Sequence, residues 1–108
     1  MPQISATVSW DSKKNVPVVS PNPILVPVAN GATLIQWTGD STITNFQISG
    51  LNSAMFTVPA TSGPVTVFTS TDRNTGVGTY NYTVTATHSS GKTASHDPRI
   101  ENGGGPIS

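Results

Sequence analysis

The stretch TYNYTVTAT, residues 79–87, alternates aromatic or aliphatic side chains with small polar ones, and this pattern decides the fold class. Successive side chains of a β-strand point to opposite faces of the sheet. A period of two therefore predicts a strand with one buried face and one solvated face. We expect four side chains to point into the core, namely Tyr80, Tyr82, Val84 and Ala86.

The same alternation recurs along the rest of the chain. Short runs rich in β-branched and aromatic residues are separated by clusters of glycine, proline, asparagine and serine, which is typical of all-β domains. We predict almost no helix, and an antiparallel Greek-key β-sandwich of about seven to eight strands. The predicted strands lie near residues 4–10, 24–28, 32–38, 43–49, 54–58, 65–70, 77–88 and 92–97.

Three local signals predict how the strands are connected. Ser89-Ser90-Gly91 predicts the turn of a carboxyl-terminal hairpin, in which Val84 would lie opposite His96. Asn30-Gly31 is a two-residue hairpin signal between two predicted strands. Prolines are concentrated in residues 16–28 and cannot donate to a central ladder, so this segment is predicted to be a loop that leads into a broken edge strand.

Chain length predicts a single domain, because 108 residues are too few for two separate cores. We expect residues 1–102 to form this domain and residues 103–108 to form a flexible tail. The amino-terminal residues lack the basic region and the apolar segment of a signal peptide, and no stretch has the length of a transmembrane helix. We therefore expect no membrane insertion, and the composition is compatible with an exported protein.

Charge and cysteine content exclude several function classes. Five basic and five acidic residues cancel, and charged residues make up only 9% of the chain, so the basic surface of a nucleic-acid-binding protein is missing. Cysteine is absent, which excludes disulfides, thiolate metal sites and thiol nucleophiles. We expect no cofactor, a protein or glycan partner, and a monomer or weakly associating oligomer.

Several of these features resemble immunoglobulin-like folds: a strand with Trp37, the alternating stretch that follows the turn-rich DRNTG at 72–76, and the final hairpin. In such folds a tyrosine near the start of the penultimate strand ties a corner to the backbone, a role that the resemblance implies for Tyr80. The segment DPRIEN, residues 97–102, is similar to the end of small stand-alone bacterial β-sandwich proteins of immunoglobulin-like or cupredoxin-like type. This likeness covers the carboxyl-terminal third and implies a fold without assigning a site.

A cupredoxin-like fold raises the question of copper. A blue-copper site needs a thiolate beside two imidazoles, and this sequence has no thiolate. The softer ligands that remain are His88, His96 and Met55. In the predicted hairpin the two histidines are about 13 Å apart, which is too far to share one metal ion. A copper-binding relative is therefore disfavoured, and we predict no metal site.

The sequence also lacks the signatures of common catalytic sites. It has no nucleophile elbow, no zinc-protease motif and no phosphate-cradling glycine loop. His96-Asp97 is the only adjacent pair of histidine and carboxylate, and neighbours on a strand point to opposite faces. We expect Asp97 to accept local backbone hydrogen bonds before Pro98. The protein is predicted not to be an enzyme.

The leading functional hypothesis is a non-catalytic β-sandwich module with a binding, adhesion or structural role. The alternative is a carbohydrate-binding module whose exposed aromatic rings stack on sugars, with Trp10, Tyr80 and Tyr82 as the candidate ligand-binding residues. Trp37 shares the strand parity of Ile35 and is predicted to lie in the core.

The polar side of the deciding stretch, Asn81, Thr83, Thr85 and Thr87, forms a regular uncharged row. Such a row offers hydrogen bonds to a glycan or to ice. Threonine is also a favourable residue for any solvated strand face, and a plain solvated face is the prediction we adopt.

Overall fold

Ten β-strands and one 3₁₀ turn make up the computed structural model, which describes residues 2–57 and 64–103. The all-β sandwich predicted from the alternating runs is confirmed, with ten strands where about seven to eight were expected. The strands are β1 (Gln3–Asp11), β2 (Val16–Ser20), β3 (Ile24–Pro27), β4 (Thr33–Gly39), β5 (Ile43–Ser49), β6 (Val67–Asp72), β7 (Gly78–Asn81), β8 (Thr83–His88), β9 (Thr93–His96) and β10 (Arg99–Gly103).

The strands form three hydrogen-bonded groups, in the orders β2-β1-β4-β6, β5-β8-β9 and β3-β10-β7. Most neighbours are antiparallel, but β1 and β4 run parallel, as do β3 and β10. These two parallel pairs correct the prediction of an entirely antiparallel sandwich. Alternation along a strand shows which side chains are buried, but it does not show which strand lies alongside or in which direction.

The last four strands pair in one register across two of these groups, β7 with β10 and β8 with β9, and we call them the long hairpin. Asn81 pairs with Arg99 and Val84 pairs with His96, and two residues separate these positions on each strand, so the register is unbroken. The pairing of Val84 with His96 confirms the predicted hairpin register. The ladder is interrupted near Pro98, which has no N–H to donate and instead accepts a hydrogen bond from the Tyr82 amide.

The deciding stretch faces the core as predicted. Tyr82, Val84 and Ala86 are buried, and Tyr80 is half-buried at the edge of the same apolar cluster. Their polar neighbours on β8 lie on the other side of the sheet. Because both faces agree with the alternation, the orientation of the long hairpin follows from its sequence.

Trp37 lies in the core, which confirms its predicted position. Its indole Nε1 donates a hydrogen bond of 3.1 Å to the Tyr82 hydroxyl. The Trp37 ring also packs edge to face against the rings of Tyr82 and Phe68, with centroid distances of 5.6 and 5.7 Å. The contact with Tyr82 joins β4 to the long hairpin across the sandwich, whereas Phe68 is the neighbour of Trp37 on β6 of the same sheet.

The predicted Asn30-Gly31 hairpin is wrong. These residues end a 3₁₀ turn over Val28–Asn30, and the strands on either side of it belong to different sheets. Gly31 has a φ of +66°, a conformation that glycine adopts without a Cβ clash. The dipeptide thus reverses the chain direction, but it connects two sheets instead of two neighbouring strands.

Residues 16–28 contain β2 and β3, where a loop and one broken strand were predicted. Both strands lie at the edge of their sheets, as proline requires. Within the predicted strand 54–58, Phe56 makes one isolated bridge, to Asp72, and residue 58 lies outside the described residues. β10 was not predicted as a strand, and it continues to Gly103; the rest of the predicted tail, 104–108, also lies outside the described residues.

No helix in residues 2–57 and 64–103 has the length and apolar character needed to cross a membrane.

Candidate functional site

Three polar side chains are buried together at one end of the sandwich, and we call them the Asp72 cluster. Asp72 ends β6, Asn74 lies in the connection to β7, and Asn102 comes from β10. Their exposed fractions are 0%, 4% and 1%. Buried polar residues of this kind are normally fully hydrogen-bonded, so their partners decide what the cluster does.

Hydrogen bonds of the cluster concentrate on one carboxylate oxygen. Asp72 Oδ1 accepts from the backbone N–H of Asn74 at 2.8 Å and from Asn102 Nδ2 at 2.9 Å. Asn74 Nδ2 donates to the carbonyl oxygens of Pro27 and Gly31, at 2.8 and 2.9 Å. The cluster therefore links β6, β10 and the connection between β3 and β4.

Three oxygens of the cluster receive no hydrogen bond from residues 2–57 and 64–103: Asp72 Oδ2, Asn74 Oδ1 and Asn102 Oδ1. Burial raises the pKa of Asp72 above its ordinary value of 3.8, and the hydrogen bonds from Asn102 and Asn74 oppose this shift. Uncompensated acceptors in a buried position are energetically unfavourable. A species that satisfied these acceptors would have to donate hydrogen bonds or carry a positive charge.

A second feature is the solvent side of the sheet formed by β5, β8 and β9, which we call the hydroxyl face. Cross-strand pairs on this face are hydrogen-bonded: Thr85 with Ser95 at 2.8 Å and Thr87 with Thr93 at 3.3 Å. With one exception its side chains are uncharged. The residues of this face are Asn45, Gln47, Ser49, Thr83, Thr85, Thr87, Thr93, Ser95 and Asp97.

The aromatic residues proposed for sugar stacking do not form an open platform. Trp10 is only 9% exposed and its ring lies against that of His88, with a centroid distance of 5.1 Å. Tyr82 is 2% exposed inside the sandwich. Half-buried Tyr80 packs edge to face against Phe56 at 5.3 Å. Because stacking needs an accessible ring face, Trp10 and Tyr82 are unsuited to this role.

The corner role that the resemblance implied for Tyr80 also differs from the structure. In the described part of the chain, the Tyr80 hydroxyl makes no hydrogen bond to the backbone, whereas the Tyr82 hydroxyl accepts from Trp37. The tyrosine whose hydroxyl is hydrogen-bonded is therefore Tyr82, two residues later than expected, and its partner is the Trp37 side chain on β4 instead of the backbone.

The two histidines lie at opposite ends of the β8–β9 ladder. His96 pairs with Val84, and the His88 amide donates to the Lys92 carbonyl at the turn. Across residues 2–57 and 64–103, no three side chains of histidine, aspartate or glutamate come together as a metal-binding group. The register therefore separates the histidines as the sequence predicted.

Two contacts bear on hydrolytic chemistry. His88 Nδ1 lies 2.8 Å from Ser90 Oγ, but the same nitrogen also accepts from the Ser90 backbone N–H, so this contact closes a tight turn. Asp97 Oδ1 accepts from Thr83 Oγ1 at 2.9 Å, on the hydroxyl face. The Asp97 carboxylate thus accepts from a side-chain hydroxyl, where backbone donors were expected. In the described residues, no carboxylate forms a hydrogen bond with His88.

Sequence reasoning missed the Asp72 cluster. Aspartate and asparagine are the usual residues of turns, and the segment 72–76 was interpreted only as turn-forming. The one available signal was the alternation of β6, which places Phe68, Ser70 and Asp72 on a common buried face. Asn102 carries no local signal, because its burial depends on β10 pairing with β3 and β7.

No protein-family model matches this chain, and no curated protein matches its sequence.

Proposed function

We propose that this protein is a non-catalytic binding module and that its ligand contacts the hydroxyl face. The observation that carries the proposal is the ordered set of hydroxyl and amide groups on β5, β8 and β9, held in register by cross-strand hydrogen bonds. Side chains that are already positioned lose little conformational entropy on binding, so they suit recognition.

The chemistry of this face favours a neutral ligand with many hydroxyl groups. Hydroxyl and amide side chains both donate and accept hydrogen bonds. Asp97 is the only charged member, and it already accepts from Thr83. Neighbouring strands are about 4.8 Å apart and alternate residues about 6.6 Å apart, which gives a repeated pattern suited to a polymer. A neutral polysaccharide is therefore the ligand class we favour.

This proposal replaces ring stacking by hydrogen bonding as the basis of glycan recognition. Trp10 and Tyr82 are buried, so they would influence binding only by supporting the sheet. A membership in immunoglobulin-like or cupredoxin-like proteins would be compatible with such a module, because sandwiches of this kind carry binding surfaces on their sheets and loops.

The proposal is tested by co-sedimentation of the protein with a panel of insoluble neutral polysaccharides. Thr85 lies at the centre of the hydroxyl face, and Thr85→Lys places a long charged side chain there. The control is Thr7→Lys, which makes the same change at an exposed position of β1 on the opposite sheet. We expect the wild-type protein and Thr7→Lys to bind, and Thr85→Lys to lose at least tenfold in affinity.

Thermal unfolding of the three proteins verifies that each is folded. Binding by Thr85→Lys at the wild-type level would refute the assignment of the face. Failure of the wild-type protein to bind any neutral polysaccharide would refute the ligand class.

A further inference from the structure

We propose that the Asp72 cluster is a binding site for a calcium ion, with Asp72 Oδ2, Asn74 Oδ1 and Asn102 Oδ1 as ligands. These are the three buried oxygens of the cluster that have no hydrogen-bond donor in the described part of the chain. The site is separate from the hydroxyl face, so this inference does not depend on the proposed function.

The first argument is charge. Asp72 is fully buried, and both hydrogen bonds to its carboxylate come from neutral groups on the same oxygen. The only ion pair in the described part of the chain joins Arg99 to Glu101 at the surface. Arg73, the nearest cation in sequence, is exposed and donates to the Ser53 carbonyl. A buried carboxylate that stays ionised is stabilised by a nearby positive charge, and within residues 2–57 and 64–103 no cationic side chain forms an ion pair with Asp72.

The second argument is ligand chemistry. One carboxylate and two amide oxygens are hard ligands, and the cluster contains neither nitrogen nor sulfur ligands. Calcium accepts carboxylate, asparagine and backbone carbonyl oxygens in a flexible geometry. Magnesium retains several of its water molecules and requires near-ideal octahedral geometry, so a cluster with exposures of 0% to 4% suits it poorly.

The third argument is the position of the ligands on the fold. Asn74 lies two residues after Asp72 with a φ of +54°, and this turn puts its side chain against the connection between β3 and β4. The Asn74 amide nitrogen is held by the Pro27 and Gly31 carbonyls, and Gly31 also accepts from Thr33 Oγ1, so these contacts fix the Asn74 side chain and leave its Oδ1 as the ligand. Asn102 approaches from the other sheet.

The ligand set also bounds the affinity. Calcium sites become weaker as the number of charged ligands falls, and a site with a single carboxylate belongs among those with dissociation constants of about 10⁻⁴ to 10⁻³ M. A bound ion would join β6, β10 and the β3–β4 connection, so binding would stabilise this end of the sandwich.

The test is thermal unfolding of the full chain in EDTA and in 10 mM CaCl2, with MgCl2 and NaCl at matched ionic strength. We expect calcium to raise the Tm by several degrees and the other two salts to have little effect. Asp72→Asn keeps the shape of the side chain and removes its charge, and we expect the calcium shift to disappear. Asp97→Asn makes the same change on the surface and should retain the full shift.

A second variant makes the test independent of the behaviour of Asp72→Asn. Asn102→Asp adds a carboxylate, so it should lower the Tm in EDTA and enlarge the calcium shift relative to the wild-type protein. Equilibrium dialysis should give one calcium ion per chain for the wild-type protein.

An unchanged wild-type Tm in calcium would overturn the proposal. So would equal shifts with calcium, magnesium and sodium, which would indicate general screening. A full calcium shift in Asp72→Asn would place any bound ion elsewhere.

Discussion

Replacing Tyr82 by phenylalanine tests the hydrogen bond that joins β4 to the long hairpin. The change removes one oxygen and leaves the ring, so the edge-to-face contact with Trp37 at 5.6 Å is retained. What is lost is the acceptor of the Trp37 indole N–H, at 3.1 Å. Trp37 is 0% exposed, and water therefore cannot replace the missing partner.

The expected loss follows from this burial. A typical intramolecular hydrogen bond contributes about 1 kcal/mol, but a buried donor left without an acceptor costs about 1–3 kcal/mol. We therefore expect Tyr82→Phe to lower the free energy of unfolding by about 1–3 kcal/mol. Tyr80→Phe is the matched control, because Tyr80 is half-buried on the same strand face and should change stability by less than about 0.5 kcal/mol.

Urea unfolding followed by tryptophan fluorescence measures both variants, and its pH dependence provides a second readout. Burial raises the pKa of Tyr82 to about 12, with the Trp37 hydrogen bond opposing the shift. The fold thus favours the neutral phenol. Below pH 10, the ordinary pKa of tyrosine, Tyr82 is neutral in both the folded and the unfolded protein, and the stability from its buried phenol is fully present. Between pH 10 and about 12 the unfolded chain ionises at Tyr82 before the folded protein does, so this stability is lost. The stability difference between the wild-type protein and Tyr82→Phe should therefore shrink across that interval.

Equal stability of Tyr82→Phe and the wild-type protein at neutral pH would show that the hydrogen bond between Trp37 and Tyr82 does not stabilise the fold. A difference that did not change between pH 10 and pH 12 would show that the phenol is not held neutral by burial.

Three further predictions concern other parts of the fold. Val84→Ala should lower the free energy of unfolding by roughly 1–3 kcal/mol in urea, and Thr85→Ala on the opposite face by much less. In EDTA at pH 7, Asp72→Asn should unfold at a higher temperature than the wild-type protein, because burial raises the pKa of Asp72 and so destabilises its charged form. This advantage should vanish below pH 3.8, where Asp72 is protonated in both the folded and the unfolded protein. Gly91→Ala should destabilise by about 1 kcal/mol or more in urea, since Gly91 has a φ of +96°.

Each of these has a clear contrary outcome. Similar losses for Val84→Ala and Thr85→Ala would mean that the faces of β8 are exchanged. A pH-independent difference for Asp72→Asn would show that the carboxyl group titrates as it does in the unfolded chain. A neutral Gly91→Ala would show that the turn adopts another conformation.

The long hairpin could be predicted from sequence because its information is local. Alternation placed Tyr82, Val84 and Ala86 in the core, and the turn at Ser89-Ser90-Gly91 set the register that brings Val84 opposite His96. Both signals act between residues close in the chain, where strand geometry leaves few alternatives.

The rest of the fold depends on contacts between distant residues. Nothing local shows that β3 lies beside β10 or that β1 lies parallel to β4. The Asn30-Gly31 signal was misread for the same reason, because a favourable turn dipeptide does not determine which sheets it connects.

The candidate site was the least predictable part. The sequence drew attention to Trp10 and Tyr82, whose amphipathic rings are equally suited to a surface or to a core, and both are buried. Asp72 lies in a turn-rich segment, and its hydrogen bond from Asn102 depends on the remote strand β10. The polar row of Thr83, Thr85 and Thr87 was recognised, but its partners on β5 and β9 required the structure.

The pairing of β3 with β10 has a consequence for synthesis on the ribosome. β3 is translated in the first quarter of the sequence, yet its only strand partner in the described residues is β10, near the end. The emerging polypeptide must therefore hold β3 with an unpaired edge until β10 has left the exit tunnel. Folds that depend on pairing between remote segments generally fold in milliseconds to seconds, so we expect this late pairing of β3 to be a slow step.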